Sequence, residues 1–514
     1  RPPRSTLFPY TTLFRSKRFR SDCEAWGEDL KFWVRFATRQ EQQVTVRVAI
    51  SSVDPAGARG SLHEIDGLTF DEVRSRGEQL WERELSRFTV EGPQRVKETF
   101  YTSAYRCFLS PFLFQDADGR FREHDKSIGR AEGFTNYTTF SFWDTYRAFH
   151  PLMNLVRADM SADVANSMLA HYDKSVERML PVWSFYGNET WCMIGYHAVS
   201  VLADMIVKQV PGFDYERAFE AMKRTATNPN YDCLPEYTKL GWVPFDKERE
   251  SVSKTLEYAY DDWCILQVAK KLNRPQAELD KWAARARNYR NVFDPETRLM
   301  RGRLRDGKFQ APFSPYKWGD AFTEGNSWHY TWSVFHDVEG LVDLMGGREQ
   351  FVQMLDSVFV VPPIYDDSYY GFRIHEITEM QVANMGNYAH GNQPAQHMIY
   401  LYDYVGQPWK AQYWVREVMD RLYSAKPDGY CGDEDNGQTS AWYVFSSMGF
   451  YPVCPGTDEY VIGSPLFKKA TITMENGNKF VIEANNNSKE NLYIQSATLN
   501  GRVLDKNFIR YDDI

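Results

Sequence analysis

The stretch from 429 to 452, G-Y-C-G-D-E-D-N-G-Q-T-S-A-W-Y-V-F-S-S-M-G-F-Y-P, runs from a glycine-flanked acidic turn directly into a segment with no charge at all. Asp433, Glu434 and Asp435 repel one another unless they face open water, share a proton or meet a cation. The run that follows has no polar face wide enough for a surface helix, so the turn lies at the N-terminal mouth of a buried one. It is not an EF-hand, because the twelve-residue ligand register and its closing Glu are absent. A water-exposed acidic loop and a functional acid cluster both fit this window taken alone.

Outward from this helix, helical periodicity extends back to about Gly67, with Pro and Gly punctuating the intervals. The spacing predicts helices over 72–88, 92–108, 161–180, 191–208, 213–226, 251–272, 275–292, 331–345, 347–358, 393–405, 408–423 and 437–448. Helices in succession with no strand between them predict a mainly α toroid or solenoid rather than an α/β barrel, and no fixed repeat period marks an armadillo or tetratricopeptide array. Residues 31–52 alternate apolar and polar types and predict two antiparallel strands, the remnant of a larger β-domain. From Tyr460 onward the alternation returns, with Asn-Gly turns at 476–477 and 500–501. The first sixteen residues read like a translated sequencing adapter and are set aside. The expected division is therefore 1–16 non-native, 17–66 the β remnant, 67–450 the helical catalytic part and 451–514 a C-terminal β-rich segment cut short.

Composition narrows the function. The 514 residues carry 60 Lys and Arg against 69 Asp and Glu, a net charge of −9 that gives nucleic acid no basic surface to bind. No apolar run approaches the roughly 20 residues of a bilayer span. The seven cysteines show no C-x-x-C pair, so neither a zinc knuckle nor a disulfide framework is expected. Rings make up 15% of the chain; they suit sugar faces, but a large aromatic core is the favoured explanation of them.

Polar and aromatic residues recur together at helix starts. In the window 318–332 a single Glu324 stands among Trp318, Trp328, Tyr330 and Trp332. An apolar cage raises a carboxyl pKa and makes a general acid, whereas the same Glu could simply cap a helix beginning near Asn326. Asp144 and Arg147 lie three apart beside Trp143, a spacing that suits a helical ion pair or a grip on sugar hydroxyls. The theme repeats at 187–191, 256–263 and 390–394, as if loops converged on one polar, aromatic-lined cavity. There is no G-x-S-x-G elbow, no Walker loop and no H-E-x-x-H, so paired carboxylates in an aromatic cleft point to glycoside hydrolysis.

Five ordered motifs together resemble glycoside hydrolase family 92, the calcium-dependent exo-acting α-mannosidases. They are S-F-W-D-T-Y-R-A-F-H-P-L from 141, G-N-E-T-W-C-M-I-G-Y-H from 187, T-E-G-N-S-W-H-Y-T-W from 323, G-Q-P-W-K-A-Q-Y-W-V-R from 406, and the stretch from 427 that contains the acidic turn. The resemblance implies an N-terminal β-sandwich, mostly missing here, joined to an (α/α)6 barrel, and single-displacement hydrolysis with inversion. In that picture Glu324 is the general acid, and Asp433 and Asp435 activate water. Trp143, Asp144 and Arg147 hold the terminal mannose, with Glu189, Glu257, Trp328 and His390 as further sugar contacts. Asn392 and Gln393 lie near a Ca2+ ion that binds the sugar's O2 and O3. The family commonly reads Asn-Glu-Pro where this chain has Asn392-Gln393-Pro394, which removes one charge from the ion's surroundings. The implied activity is release of terminal mannose from high-mannose N-glycans or mannan, α-1,2 linkages foremost, in the periplasm or outside the cell. An (α/α)6 glycosidase acting on glucosides, and a glycan-binding protein without turnover, are the alternatives.

Overall fold

The computed structural model describes residues 36–514. The chain divides into two compact units, 1–48 and 49–514. The set-aside N-terminal residues, and the start of the expected strand pair, lie outside the described residues. Residues 36–52 form no strand, which corrects the alternation reading there. Val44, Val46, Val48 and Ile50 are exposed, and among the described residues no main chain pairs with this segment. Alternation becomes a strand only where a partner supplies hydrogen bonds.

The first element of the larger unit is a helix, Pro55–Leu62, where β structure was expected. Its start is locally encoded: Pro55 occupies the first turn, and the Asp54 carboxylate accepts the Gly57 N–H at 2.7 Å. The next helix, Phe70–Leu85, opens on a reciprocal capping box between Thr69 and Glu72.

Helix Ser251–Lys271 runs through the middle of the core, packed on Ala198–Val207 and on Gln276–Arg285. It is buried nearly all round despite carrying Lys254, Glu257, Asp261 and Asp262. Each of these charges has a partner: Lys254 with Asp232 and Glu248, Asp261 and Glu257 with His197, and Asp262 with Arg285. A helix with buried charges needs such pairing, because an unmatched ion in the core costs several kcal/mol. Helix Gln94–Cys107 packs on Gln438–Met448 and so brings distant parts of the chain together. The buried Gln438 reinforces that junction by accepting the N–H groups of Ala148 and Phe149 at 2.8 and 3.2 Å.

Strand pieces also occur between the helices, contrary to expectation. Phe88–Glu91, within and just past the expected helix end, pairs antiparallel with Lys469–Thr473, which pairs in turn with Lys479–Glu483. Its alternation buries Phe88 and Val90 and exposes the residues between. Of the two Asn-Gly turns, the one at 500–501 joins a two-residue hairpin with both residues at positive φ, 50° and 79°. Two expected helices are broken. Residues 331–345 contain only Val338–Met345, preceded by the short Ser327–Tyr330, and 393–405 splits into single turns. Helix His375–Ala383 was not anticipated. The six cysteines among the described residues are all free.

Candidate active site

The turn that carries Glu324 is built on left-handed backbone. Gly319, Asp320 and Glu324 have φ of 76°, 62° and 45°. A non-glycine residue held there costs about 1–3 kcal/mol and persists only where surrounding contacts impose it. Those contacts are present: Lys317 pairs with Asp320 at 2.7 Å, Gly319 N–H donates to the Gly325 carbonyl at 3.0 Å, and Asn326 caps Ser327–Tyr330 in a reciprocal box with His329. Asn326, not Glu324, is therefore the cap of that helix. Glu324 is left half-buried, with Asn392 Nδ2 donating to its backbone carbonyl at 2.9 Å and to its Oε2 at 3.4 Å. Burial, and next the Glu376 carboxylate, push the Glu324 carboxyl up to about 7.

The acidic turn is strained in the same way. Asp435, Asn436 and Gly437 have φ of 52°, 52° and 98° in succession. The three acids divide their work. Glu434 accepts the N–H groups of Gly437 and Ser440 and caps the buried helix. Asp433 is exposed, while Asp435 is half-buried and accepts a hydrogen bond from Gln393 Nε2. Burial first, then Asp433 and Glu434, push the Asp435 carboxyl up to about 7.

The two loops meet backbone to backbone. A Cβ on Gly432 would lie 2.3 Å from the Gly391 carbonyl oxygen, and one on Gly391 would lie 2.8 Å from that of Cys431. Glycine at both positions lets residues 391–393 reach the turn. Adjacent residues then hold the two halves of the site, Asn392 gripping Glu324 and Gln393 gripping Asp435.

Asp144 completes the group. It is fully buried, its Oδ2 has no partner, and burial followed by Asp435, with Glu324 and Asp433 also contributing, holds its carboxyl well above the carboxylate range. Arg147 turns its guanidinium over the Tyr146 ring at 4.6 Å and donates from Nε to the Trp143 carbonyl at 3.2 Å. The simple helical ion pair is thus not what Asp144 is used for. Trp143 donates from its indole to Glu257 Oε1 at 3.1 Å, and Glu257 Oε2 lies 3.1 Å from His197. Burial opposes charge on His197, but Asp261 and Glu257 on its two nitrogens outweigh it and hold the ring up at about 9. Glu257 therefore supports Trp143 from behind. Trp328 is half-buried beside Tyr316, and its indole N–H has no partner.

Three expected site residues are engaged elsewhere. His390 is fully buried, with its ring nitrogens 2.7 Å from the Tyr388 and Tyr423 hydroxyls, and burial pushes it down to about 3. It is a neutral core residue. Glu189 accepts four backbone N–H groups, from Val182, Trp183, Thr190 and Trp191. Asn392 accepts the Gln393 N–H on its Oδ1 at 3.1 Å while its Nδ2 donates to Glu324, so its side chain positions Glu324. Sequence reasoning missed that role, and it missed His375 and Glu376. Glu376 is buried with one unpartnered oxygen, and His375 lies 3.8 Å from Asp433. Their helix has few apolar positions in regular register to reveal it.

A hard divalent cation suits the donors that remain. Gln393 Oε1 and Asp144 Oδ2 are buried acceptors without partners, and the raised Asp435 carboxyl records a surplus of negative charge. His375, Glu379 and Asp433 form a second group whose ligand atoms lie within 4.8 Å of one another, at the mouth of the site.

A carboxyl poised near neutrality, facing further carboxylates across a loop junction and backed by buried aromatic rings, is the equipment of a glycoside hydrolase. The chain belongs to glycosyl hydrolase family 92, whose catalytic domain matches residues 57–514. Among solved structures, a family GH92 alpha-mannosidase of Bacteroides thetaiotaomicron superposes with a TM-score of 0.85 at 55% identity, over 90% of this chain and 60% of that one. The same enzyme has been solved with mannoimidazole. A family GH92 inverting mannosidase of that organism gives 0.82 at 43% identity, over 90% and 64% of the two chains. An uncharacterized secreted glycosidase of Arthroderma benhamiae is 25% identical over 91% of this chain and 59% of its own length. The chain thus spans about 60% of the length of these relatives.

Proposed function

We propose that the chain is the catalytic part of a calcium-dependent, inverting exo-α-mannosidase that releases terminal mannose from high-mannose N-glycans or mannan. The observation that carries the reading is the junction at 392–393, which ties a carboxyl held at about 7 to the acidic turn. Mannoimidazole in a relative at 53% identity supports mannose as the sugar. Helix packing that joins 94–107 to 438–448 suits an (α/α)6 ring, and the secreted relative suits export.

In this reading Glu324 gives its proton to the glycosidic oxygen as the C–O bond breaks. The carboxylates of Asp433 and Asp435 take the proton of a water attacking C1 from the opposite face, so the product is β-mannose. Asp144, Trp143 and Arg147 hold the terminal sugar. Gln393, Asp144 and Asp435 would hold calcium, which supplies a fixed positive charge for sugar oxygens. Because the acid stands at the leaving oxygen, Glu376, whose charge acts on Glu324, would face the leaving sugar and set linkage preference, α-1,2 foremost.

The test is proton NMR of α-1,2-mannobiose hydrolysis by the full chain, with and without EDTA. β-Mannose appears first, chelation abolishes turnover, and Glu324→Gln loses at least ~10³-fold in kcat. Initial α-mannose, or full activity in Glu324→Gln, overturns the assignment.

A further inference from the structure

A cavity of about 290 Å³ is lined by residues that the mechanism does not use. One wall is Trp191, with 42% of its surface exposed. The lining also includes Asn228, Asn230, Glu177, Asp232, Tyr231 and Met179.

Trp191 is displayed deliberately. Its φ of 53° is left-handed, a conformation that a large aromatic residue seldom adopts. The Glu189 carboxylate imposes it by accepting the N–H of Trp191 at 3.1 Å and of Thr190 at 3.0 Å, while its other bonds, to Val182 and Trp183 at 2.9 and 2.8 Å, anchor the turn to the preceding strand. A buried carboxyl saturated by four main-chain donors is a rigid support. Tyr231, which also lines the cavity, meets the Trp191 ring with centroids 5.6 Å apart, and its hydroxyl donates to the Gly195 carbonyl at 2.7 Å.

The polar wall is equally ordered. Asn228 Nδ2 donates to the Glu177 carbonyl at 2.8 Å and Asn230 Nδ2 to the Glu177 carboxylate at 3.0 Å. The Asp232 carboxylate lies 3.2 Å from the Lys254 ammonium. Residues 191–197 link this cavity to the catalytic group. Next to Trp191, the Cys192 thiol is pushed up by burial and then by the charges of Glu324 and Asp144, and His197 on the same loop supports Glu257 and Trp143.

We propose that this cavity is a distal sugar site, binding a neutral hexose of the same glycan beyond the leaving residue. The inference rests on the mannosidase reading for which glycan arrives, but not for the chemistry of the cavity. An exposed indole offers a flat apolar face for the C–H side of a pyranose, while amides and carboxylates around it accept and donate to hydroxyls. Two carboxylates against one already paired lysine repel phosphate or sulfate. The volume sits at the small end of ligand cavities, which suits one monosaccharide unit.

The test compares Trp191→Ala and Asn230→Ala in the full chain on α-mannobiose and on α-mannotetraose. The expected result is kcat/KM on the disaccharide within about twofold of the parent, with a loss of about tenfold on the tetrasaccharide, the size of one aromatic platform. Trp191→Phe retains most of the tetrasaccharide activity. An equal loss on both substrates, or no loss on either, overturns the distal site. Should the parent chain hydrolyse no mannoside, the mannosidase reading fails by itself, and titration calorimetry with mannotetraose still decides the cavity: weaker binding to Asn230→Ala and Trp191→Ala supports it, and unchanged or undetectable binding to all three proteins overturns it.

Discussion

Replacing Glu376 by Gln tests how the acid is tuned. Glu324 is held at about 7 against an ordinary 4.5, by burial first and by the Glu376 carboxylate next. The difference corresponds to about 3 kcal/mol against the ionised form. Glu376→Gln removes a charge and leaves the burial, so the alkaline limb of kcat/KM moves down by on the order of half a pH unit, well short of the ordinary carboxyl range. The direction follows from the role: an acid works while protonated, and lowering its pKa strips the proton at lower pH. The assay is kcat/KM from pH 5 to 9 on α-mannobiose and on 2,4-dinitrophenyl α-mannoside, whose leaving group departs without a proton. The parent limb stands near 7 on mannobiose and vanishes on the activated substrate. A limb that ignores Glu376→Gln, or that is identical on both substrates, refutes the reasoning. Stability reports the same tuning. Folded Glu324 keeps its proton to higher pH than the unfolded chain, so stability falls as pH rises between 4.5 and about 7. Glu324→Gln therefore gains up to about 3 kcal/mol in urea unfolding at pH 8 and almost nothing at pH 4.

Asn392→Ala moves the mannobiose limb in the opposite direction, upward, because the bond it removes favours the ionised acid, and it lowers kcat about tenfold by releasing Glu324 from its position. Calcium affinity, measured by calorimetry, weakens as pH falls below about 7, because the ion must displace the proton that Asp435 then holds. An affinity constant between pH 6 and 8 contradicts that ligand. His390→Phe leaves kcat/KM within about threefold but lowers stability by about 2–5 kcal/mol, since two tyrosine hydroxyls lose their buried partner. Loss of activity without loss of stability returns His390 to the cleft.

What the sequence disclosed, and what it concealed, has a physical pattern. The acidic turn and buried helix at 429–452 are local: adjacent acids and an uncharged apolar run state their own environment. Glu324 stood out because it is the single carboxylate in a window rich in rings, and its burial raises its carboxyl as that window suggested. The strand Phe88–Glu91 was hidden because its partner lies at 469–473, and pairing across that separation leaves no local mark beyond four alternating residues. His390, Glu189 and Glu257 look alike in sequence, each a polar residue beside aromatics at a helix start. Their different fates, between two tyrosines, under four N–H groups and behind Trp143, depend on what distant segments bring to them.

Left-handed backbone was the least visible feature and the most informative. Glu324, Asp435 and Trp191 are a carboxylic acid, a carboxylic acid and an indole, and none is chosen for positive φ by its own chemistry. Each is bonded by a neighbouring polar side chain: Asn392 on Glu324, Gln393 on Asp435 and Glu189 on Trp191. A residue type that resists a conformation and is nonetheless held in it marks a place where the direction of the side chain matters more than local ease of folding. The proposed acid, one of the two aspartates proposed to activate water, and the proposed distal platform share that signature. The supports that hold them are therefore the residues whose conservative replacement should shift pH profiles and substrate-length preference while the fold persists.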